Sequence, residues 1–276
     1  MDWSTIVTIA IKETRTGFRN RWFLLYSVVF TALIVAFASI ALSSTGVTGQ
    51  AGFGRTSAGL LNLILLMVPL IGLTIGAQTL VSERQDKSMD YLLAQPVSAS
   101  EVFFGKYLGA AAAITIMLVL GFGWAGFIMV LRGSSGSLGG FGVLVLLTVL
   151  LGLGMLSVGY LVSSFTAQTA TALGIAVTIW LGFVIIGDLG IMGSSLVLNF
   201  NPSTLLALTL ANPLDTYKLL SVEILQTSLD VLGPAGVYAT DRFGGQLTPL
   251  LLAVEALWVL LPLPIAYSLF KKACVQ

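Results

Sequence analysis

Charged residues punctuate this chain so sparsely that the apolar runs between them read directly as elements. None occurs between Arg21 and Arg55, between Arg55 and Glu83, or between Lys106 and Arg132. Each interval holds one apolar run of membrane length, since a helix of about 20 apolar residues crosses roughly 30 Å of hydrocarbon. The pattern predicts transmembrane helices near 22–43, 58–81 and 107–131. The uncharged interval from Arg132 to Asp188 has room for two more, near 142–162 and 169–187, divided by the polar cluster Ser163-Ser164-Phe165-Thr166-Ala167-Gln168-Thr169. A last run from Pro249 to Phe270 makes six. The run from Ile191 to Ala211 imitates a seventh, but Asn199-Phe200-Asn201-Pro202 breaks its middle, and a seventh span would put Lys271 and Lys272 on the opposite side from the other basic clusters.

Between and before the spans the periodicity becomes amphipathic. Trp3, Ile6, Val7, Ala10, Thr14 and Phe18 recur at helical spacing while Lys12, Arg15 and Arg19 take the other side, which predicts a helix lying along the membrane surface. A cleaved signal peptide is not expected, because the apolar run after Arg21 is about twice a signal core of roughly 7–15 residues. The most polar stretch is "SERQDKSMDYLLAQPVSASEVFFGKYLG", residues 82–109. Within it Ser88 can cap a short helix, Met89, Leu92 and Leu93 fall at i, i+3 and i+4 on one face, and Pro96 stops it. Ser98-Ala99-Ser100-Glu101 then forms a capping box that opens the third span. Periodicity alone leaves two readings of 88–96, a helix with an apolar face and a loop whose leucines dip into the headgroups.

Composition fits this frame. Of 276 residues 57% are hydrophobic and 9% charged, with a mean hydropathy of +0.99, against about 25% charged in soluble domains. The fold class is therefore an all-α integral membrane protein, a single transmembrane domain over 1–276, with an interfacial helix at 1–21, a cytoplasmic loop at 82–106 and an outer segment at 190–246. A net charge of +1 suggests no nucleic-acid partner. The basic residues set the orientation. Lys12, Arg15, Arg19 and Arg21, then Arg84, Lys87 and Lys106, then Lys271 and Lys272 share one side, and the other side receives Arg55, Arg132, Lys218 and Arg242. The first side is expected to be cytoplasmic, with both termini there.

Candidate chemistry is thin. The chain has no histidine and one cysteine, Cys274, so a Ser-His nucleophile is excluded. Lys106 lies outside the predicted third span, so no lysine falls within a span to serve a Ser-Lys pair. Gly105-Lys106 lacks the upstream glycine of a phosphate-binding loop. The intramembrane polar candidates are Asp188, at the outer end of span five, and Glu255, a turn or two inside span six. They are what an ion-coupled secondary transporter, the rival function, would have to use. Met67, Met117, Met129 and Met155 are scattered as packing residues rather than metal ligands. Gly72-Leu73-Thr74-Ile75-Gly76 matches a helix-association motif, but among 30 glycines that spacing is expected by chance. In the outer segment Asn212-Pro213 starts a helix with Asp215 and Lys218 on one side and Tyr217 and Leu220 on another. Such a helix could dock an external partner or simply cover the outer end.

"ERQDKSMDYLLAQPVSASEVFFGKYLG" resembles the segment between the second and third spans of ABC-2-type transporter permeases, with an acidic-basic pair, a leucine pair, a Pro-Val-Ser and a Gly-Lys in that order. The resemblance continues in the N-terminal amphipathic helix, in "SSFTAQTATALGIAVTIW" at 163–180 and in the long outer segment, and so covers nearly the whole chain. "NPLDTYKLLSV" at 212–222 and the glycine-rich segment ending "YATDRFGG" resemble the permeases encoded with nitrous oxide reductase maturation proteins. Gln168 departs from the pattern, standing where many relatives carry a basic residue. The resemblance implies a non-catalytic permease of the bacterial inner membrane, a homodimer served by two separate ABC ATPase subunits that bind ATP and Mg, with no cofactor or metal on this chain. It implies that Glu83, Arg84, Met89, Asp90, Tyr91, Leu92 and Leu93 couple to the ATPase, the short helix sitting in its cleft. It further implies a periplasmic copper-site maturation protein docking near Asp215, Tyr217 and Lys218, and a cargo used to assemble the reductase's copper centre.

The topology is open to direct test. In a background lacking Cys274, cysteines placed at the N-terminus, at Asp86 and beyond Lys272 should react with an impermeant reagent only from the cytoplasm, and one at Asp230 only from outside; cytoplasmic labelling at Asp230 would overturn the six-span count.

Overall fold

The computed structural model describes residues 2–43, 50–86, 97–131, 138–196, 202–224 and 234–275. Among these residues the chain is entirely helical, and six helices or helix pairs are long and apolar enough to cross a membrane. Helix α1 (Trp3–Arg19) precedes span one, α2 (Arg21–Ser43). Span two is α3 (Gln50–Thr79), continued by the short α4 (Val81–Gln85). Spans three, four and five are α5 (Ala99–Leu131), α6 (Leu138–Phe165) and α7 (Thr169–Leu196). The outer segment folds into α8 (Pro202–Ala211), α9 (Pro213–Ile224) and α10 (Pro234–Phe243). The sixth span is split into α11 (Leu247–Leu260) and α12 (Pro262–Val275). Pro262 has no N–H to donate, so the helix ladder is interrupted there, although Leu261 N still donates to Leu257 O at 2.8 Å.

Helices α3 and α6 form the buried centre, whereas α2, α7 and α11–α12 leave most of their surface open to the surrounding membrane. Lipid tails are as apolar as leucine, so spans associate through close packing rather than through the hydrophobic effect. The centre is built on that rule. A Cβ on Gly72 would lie 2.8 Å from both Gly152 O and Met155 Cβ, one on Gly76 would run into Leu156 O, and one on Gly159 into Leu73 O. The Gly72/Gly76 pair, dismissed above as chance spacing, is thus the contact through which α3 meets α6.

A second glycine pair four residues apart, Gly105 and Gly109, lies at the end of the polar stretch 82–109. On α5, a Cβ at Gly105 would come within 2.8 Å of Ile9 Cβ, and one at Gly109 within 2.6 Å of Ala10 O. Helix α1 therefore lies directly on α5, and Thr14 Oγ1 donates to Gly109 O at 3.0 Å across the contact. Ile6 is buried in this contact while Trp3, Val7 and Ile11 stay exposed. The apolar face predicted for α1 is accordingly divided between this contact and exposed surface. One residue, Asn20, turns the chain from α1 into span one. Its N–H donates to Gly17 O at 3.0 Å and its side-chain oxygen accepts from Trp22 N at 2.9 Å, which caps both helices at once. Phe103 packs against Tyr267 and Phe270 of α12, so both ends of the chain gather at the same end of the bundle, hereafter the basal end.

Enlarging a glycine at the α3–α6 contact has to separate the two helices. Gly76→Ile should destabilise the detergent-solubilised protein by roughly 1–3 kcal/mol or more, read as a fall in Tm. Gly123→Ile, at a position with open space around its Cβ, should leave Tm largely unchanged.

Candidate functional site

At the basal end a lysine ammonium is buried inside the bundle. Lys106, on the second turn of α5, is 1% exposed, and a charge so placed is costly unless it is neutralised by close partners. Its Nζ lies 2.8 Å from Glu13 Oε2 of α1 and 2.8 Å from Glu83 Oε1 of α4. One cation thus joins three elements, of which α1 is distant in sequence from the other two. The sequence reading kept lysines outside the spans; Lys106 instead belongs to the continuous third helix, and with both carboxylates on its ammonium it is no free base.

The other polar residues of α4 are hydrogen-bonded as well, Ser82 locally and Arg84 and Gln85 across helices. Ser163 Oγ of α6 accepts from Leu80 N and Val81 N, both at 2.9 Å, and so supplies partners where α3 gives way to α4. Ser82 Oγ donates back to Gln78 O at 2.7 Å. Arg84 donates to Thr166 O at 2.8 Å and to Ser164 O at 3.3 Å, closing the C-terminal end of α6, where cationic donors are favourable. Gln85 Oε1 accepts from Thr169 N at 2.9 Å, at the first turn of α7.

The other root of the polar loop is fastened too. The expected capping box forms, with Ser98 N donating to Glu101 Oε2 at 2.9 Å and Glu101 N to Ser98 Oγ at 3.3 Å. The second carboxylate oxygen of Glu101 accepts from Asp2 N at 2.7 Å, so the start of α1 is tied to the start of α5. Behind this frame Tyr107 OH and Ser157 Oγ share a 2.8 Å bond, and Tyr160 OH donates to Phe103 O at 2.8 Å. The described residues on either side of 87–96 are therefore bonded to α1, α5, α6 and α7. Met89, Asp90, Tyr91, Leu92 and Leu93 lie outside the described residues. Glu83 and Arg84, the other two expected coupling residues, face the chain's own helices.

At the opposite end, α9 is seated by its first residues. Asn212 Oδ1 caps the helix by accepting from Leu214 N at 3.1 Å, and Asn212 Nδ2 donates to Phe183 O and to Asp215 Oδ2, both at 2.9 Å. Asp215 lies against Gly187, where a Cβ would come within 2.7 Å of its carboxylate. Asp215 and Lys218 line a cavity of about 360 Å³ together with Asn62 and Phe183. Tyr217 points the other way. It is fully buried, shares a 2.9 Å bond with Thr148 of α6, and has its phenol pKa pushed up by burial, so it anchors α9 and does not face outward. Glu255 is buried on α11, and neither carboxylate oxygen has a hydrogen-bond partner among the described residues. Asp188 belongs to α7, and its side chain lies outside the described residues.

The model of the ABC-2 family transporter protein matches residues 7–274, which takes in most of α1, all six spans and the loop between spans two and three. The chain belongs to the ABC-2 transporter family. It is 30% identical over 271 residues to a protein of Stutzerimonas stutzeri named "Probable ABC transporter permease protein NosY", covering 96% of this chain and 97% of that one. It is 31% identical over 272 residues to the protein of the same name from Pseudomonas aeruginosa, with the same coverage. ABC-2 permeases are non-catalytic membrane subunits that work with ATPase partners, and the ATP is bound by the partner. Among the described residues no cluster of three or more His, Cys, Asp or Glu side chains could hold a metal ion.

The residues that sequence reasoning did not single out are Glu13, Lys106 and Ser163. Lys106 did carry a signal, being a lone charge inside the apolar "FFGKYLG". Removing its ammonium leaves two carboxylates facing each other, each 20% exposed and so partly reached by water. Lys106→Met should therefore cost about 3 kcal/mol and lower Tm clearly, whereas Glu13→Gln, which leaves the ammonium paired with Glu83, should cost about 1 kcal/mol.

Proposed function

We propose that this permease forms a homodimer in a bacterial inner membrane, with both termini cytoplasmic, and converts ATP hydrolysis by two NosF-like ATPase subunits into movement of a cargo. ATP and Mg belong to those subunits. In this reading the face of Met89, Leu92 and Leu93 sits in an ATPase cleft, flanked by Asp90 and Tyr91. Glu83 and Arg84 form the root of the lever rather than its tip. The observation that carries the reading is the fastening of both ends of 87–96. Glu83 reaches α1 through Lys106 and Glu13, Arg84 and Gln85 hold α6 and α7, and Glu101 holds the start of α1. A push on a loop so anchored displaces several helices together, because packed elements shift as bodies rather than deform continuously.

At the outer end, Asp215 and Lys218 supply the polar surface of α9 that a NosD-like periplasmic protein would meet, while Tyr217 fixes the helix from behind. The kinship with NosY proteins supports a cargo that serves assembly of the copper centre of nitrous oxide reductase. An ion-coupled secondary transporter without an ATPase would draw on Glu255; membership of a family served by separate ATPases favours the first reading.

Leu92→Asp tests the coupling. It places an unpaired carboxylate at the contact, which should cost several kcal/mol of association, yet it lies outside the spans. The variant should insert normally and lose its ATPase on co-purification, whereas Glu101→Ala, which removes a cap worth about 1 kcal/mol and the bond to Asp2 N but leaves the docking face itself untouched, should retain it. Normal co-purification and ATP-driven function in Leu92→Asp would overturn the proposed docking face.

A further inference from the structure

The elbow at Asn20 shelters a cavity of about 340 Å³, bounded by the second half of α1, the start of α2, the end of α3 with α4, and the first turns of α5. That volume lies within the roughly 300–1,000 Å³ range of small-molecule sites. Its lining is graded along the bundle axis. Phe23, Tyr26, Ile75 and Ala113, which lie farther along their spans from the basal end, make it apolar on one side, and Lys12 and Asp86 make it charged on the other. An apolar compartment above a charged one, at the level where α1 meets span one, has the polarity profile of a single phospholipid. Trp22 stands on the lining and is 64% exposed, as an indole at a membrane interface is.

The charges narrow the headgroup. The lining carries three carboxylates, Glu13, Glu83 and Asp86, and two ammonium groups, Lys12 and Lys106. Lys106 is already shared by Glu13 and Glu83, which leaves Lys12 and Asp86 as one cation and one anion in a cavity of net negative charge. A headgroup with a net negative charge is disfavoured there by repulsion, and a quaternary amine has no N–H to give Asp86. A primary ammonium suits Asp86, and a phosphate suits Lys12. We propose that this cavity binds a phospholipid whose headgroup bears a primary amine, drawn from the leaflet on the side of α1, with Asp86 taking the ammonium and Lys12 the phosphate. The bound lipid wedges α1 against spans one to three beside the Lys106 node. The proposal does not depend on which cargo or ATPase the permease serves.

The test uses the complex as purified, reconstituted in nanodiscs holding equal parts of phosphatidylethanolamine, phosphatidylcholine and phosphatidylglycerol. After brief detergent extraction, retained lipids are counted by native mass spectrometry. The ethanolamine lipid should be enriched roughly fivefold over the other two. Asp86→Asn, which keeps the side-chain size and leaves Glu13, Glu83 and Lys106 in place, should abolish that preference. Lys12→Gln should lower retention of all three phospholipids. Equal retention of the three headgroups overturns the proposal, as does a preference that survives Asp86→Asn. Soluble phosphoethanolamine that displaces the lipid at equal concentration would overturn the bilayer as the source, because the acyl chains would then contribute nothing.

Discussion

A single buried ammonium organises the basal end of this protein. Taking Lys106 out of water is unfavourable by several kcal/mol unless carboxylates surround it, and Glu13 and Glu83 both lie within 2.8 Å of it. Neither carboxylate can reach it unless α1 is pressed onto α5 and α4 continues from the end of α3. Gly105 and Gly109 permit the first of these by letting the α1 backbone approach, and Ser163 permits the second by satisfying the N–H groups of Leu80 and Val81. Charge, glycine spacing and one hydroxyl therefore specify the same arrangement, and such agreement among local and long-range preferences is what makes a fold unique.

The same principle operates deeper in the bundle with different chemistry. In hydrocarbon there is no water to drive helices together, so α3 and α6 rely on close backbone approach at Gly72, Gly76 and Gly159. The buried hydroxyls sit at positions that lock the register, Tyr107 on Ser157 and Tyr217 on Thr148. This gives the bundle a buried centre and outer spans that are largely open on their far faces. The polar residues at 83–85 belong to this frame, since Glu83, Arg84 and Gln85 bond to α5, the end of α6 and the start of α7.

Much of this was determined by the sequence alone. The charge-free intervals set the six spans, because a charge in hydrocarbon is costly wherever it falls, and that rule needs no knowledge of neighbours. The amphipathic α1, the capping box at Ser98–Glu101 and the helix start at Asn212 are likewise local: each follows from periodicity or from side chains bonding a backbone a few residues away. The family was legible for a related reason, since the order of residues between spans two and three is itself a linear pattern.

The tertiary structure alone decided which side chains meet across long separations. Glu13 and Lys106 are 93 residues apart, and nothing in a one-dimensional pattern distinguishes that pair from Glu13 with any other lysine. Whether Gly72 and Gly76 are a contact or an accident depends on which face α6 presents, and whether Tyr217 points outward or inward depends on the seat that Thr148 offers it. Glu83 and Arg84 look like loop charges in sequence and prove to be bonded within the bundle for the same reason. Periodicity reports the face a residue occupies, while packing in three dimensions determines what lies opposite that face.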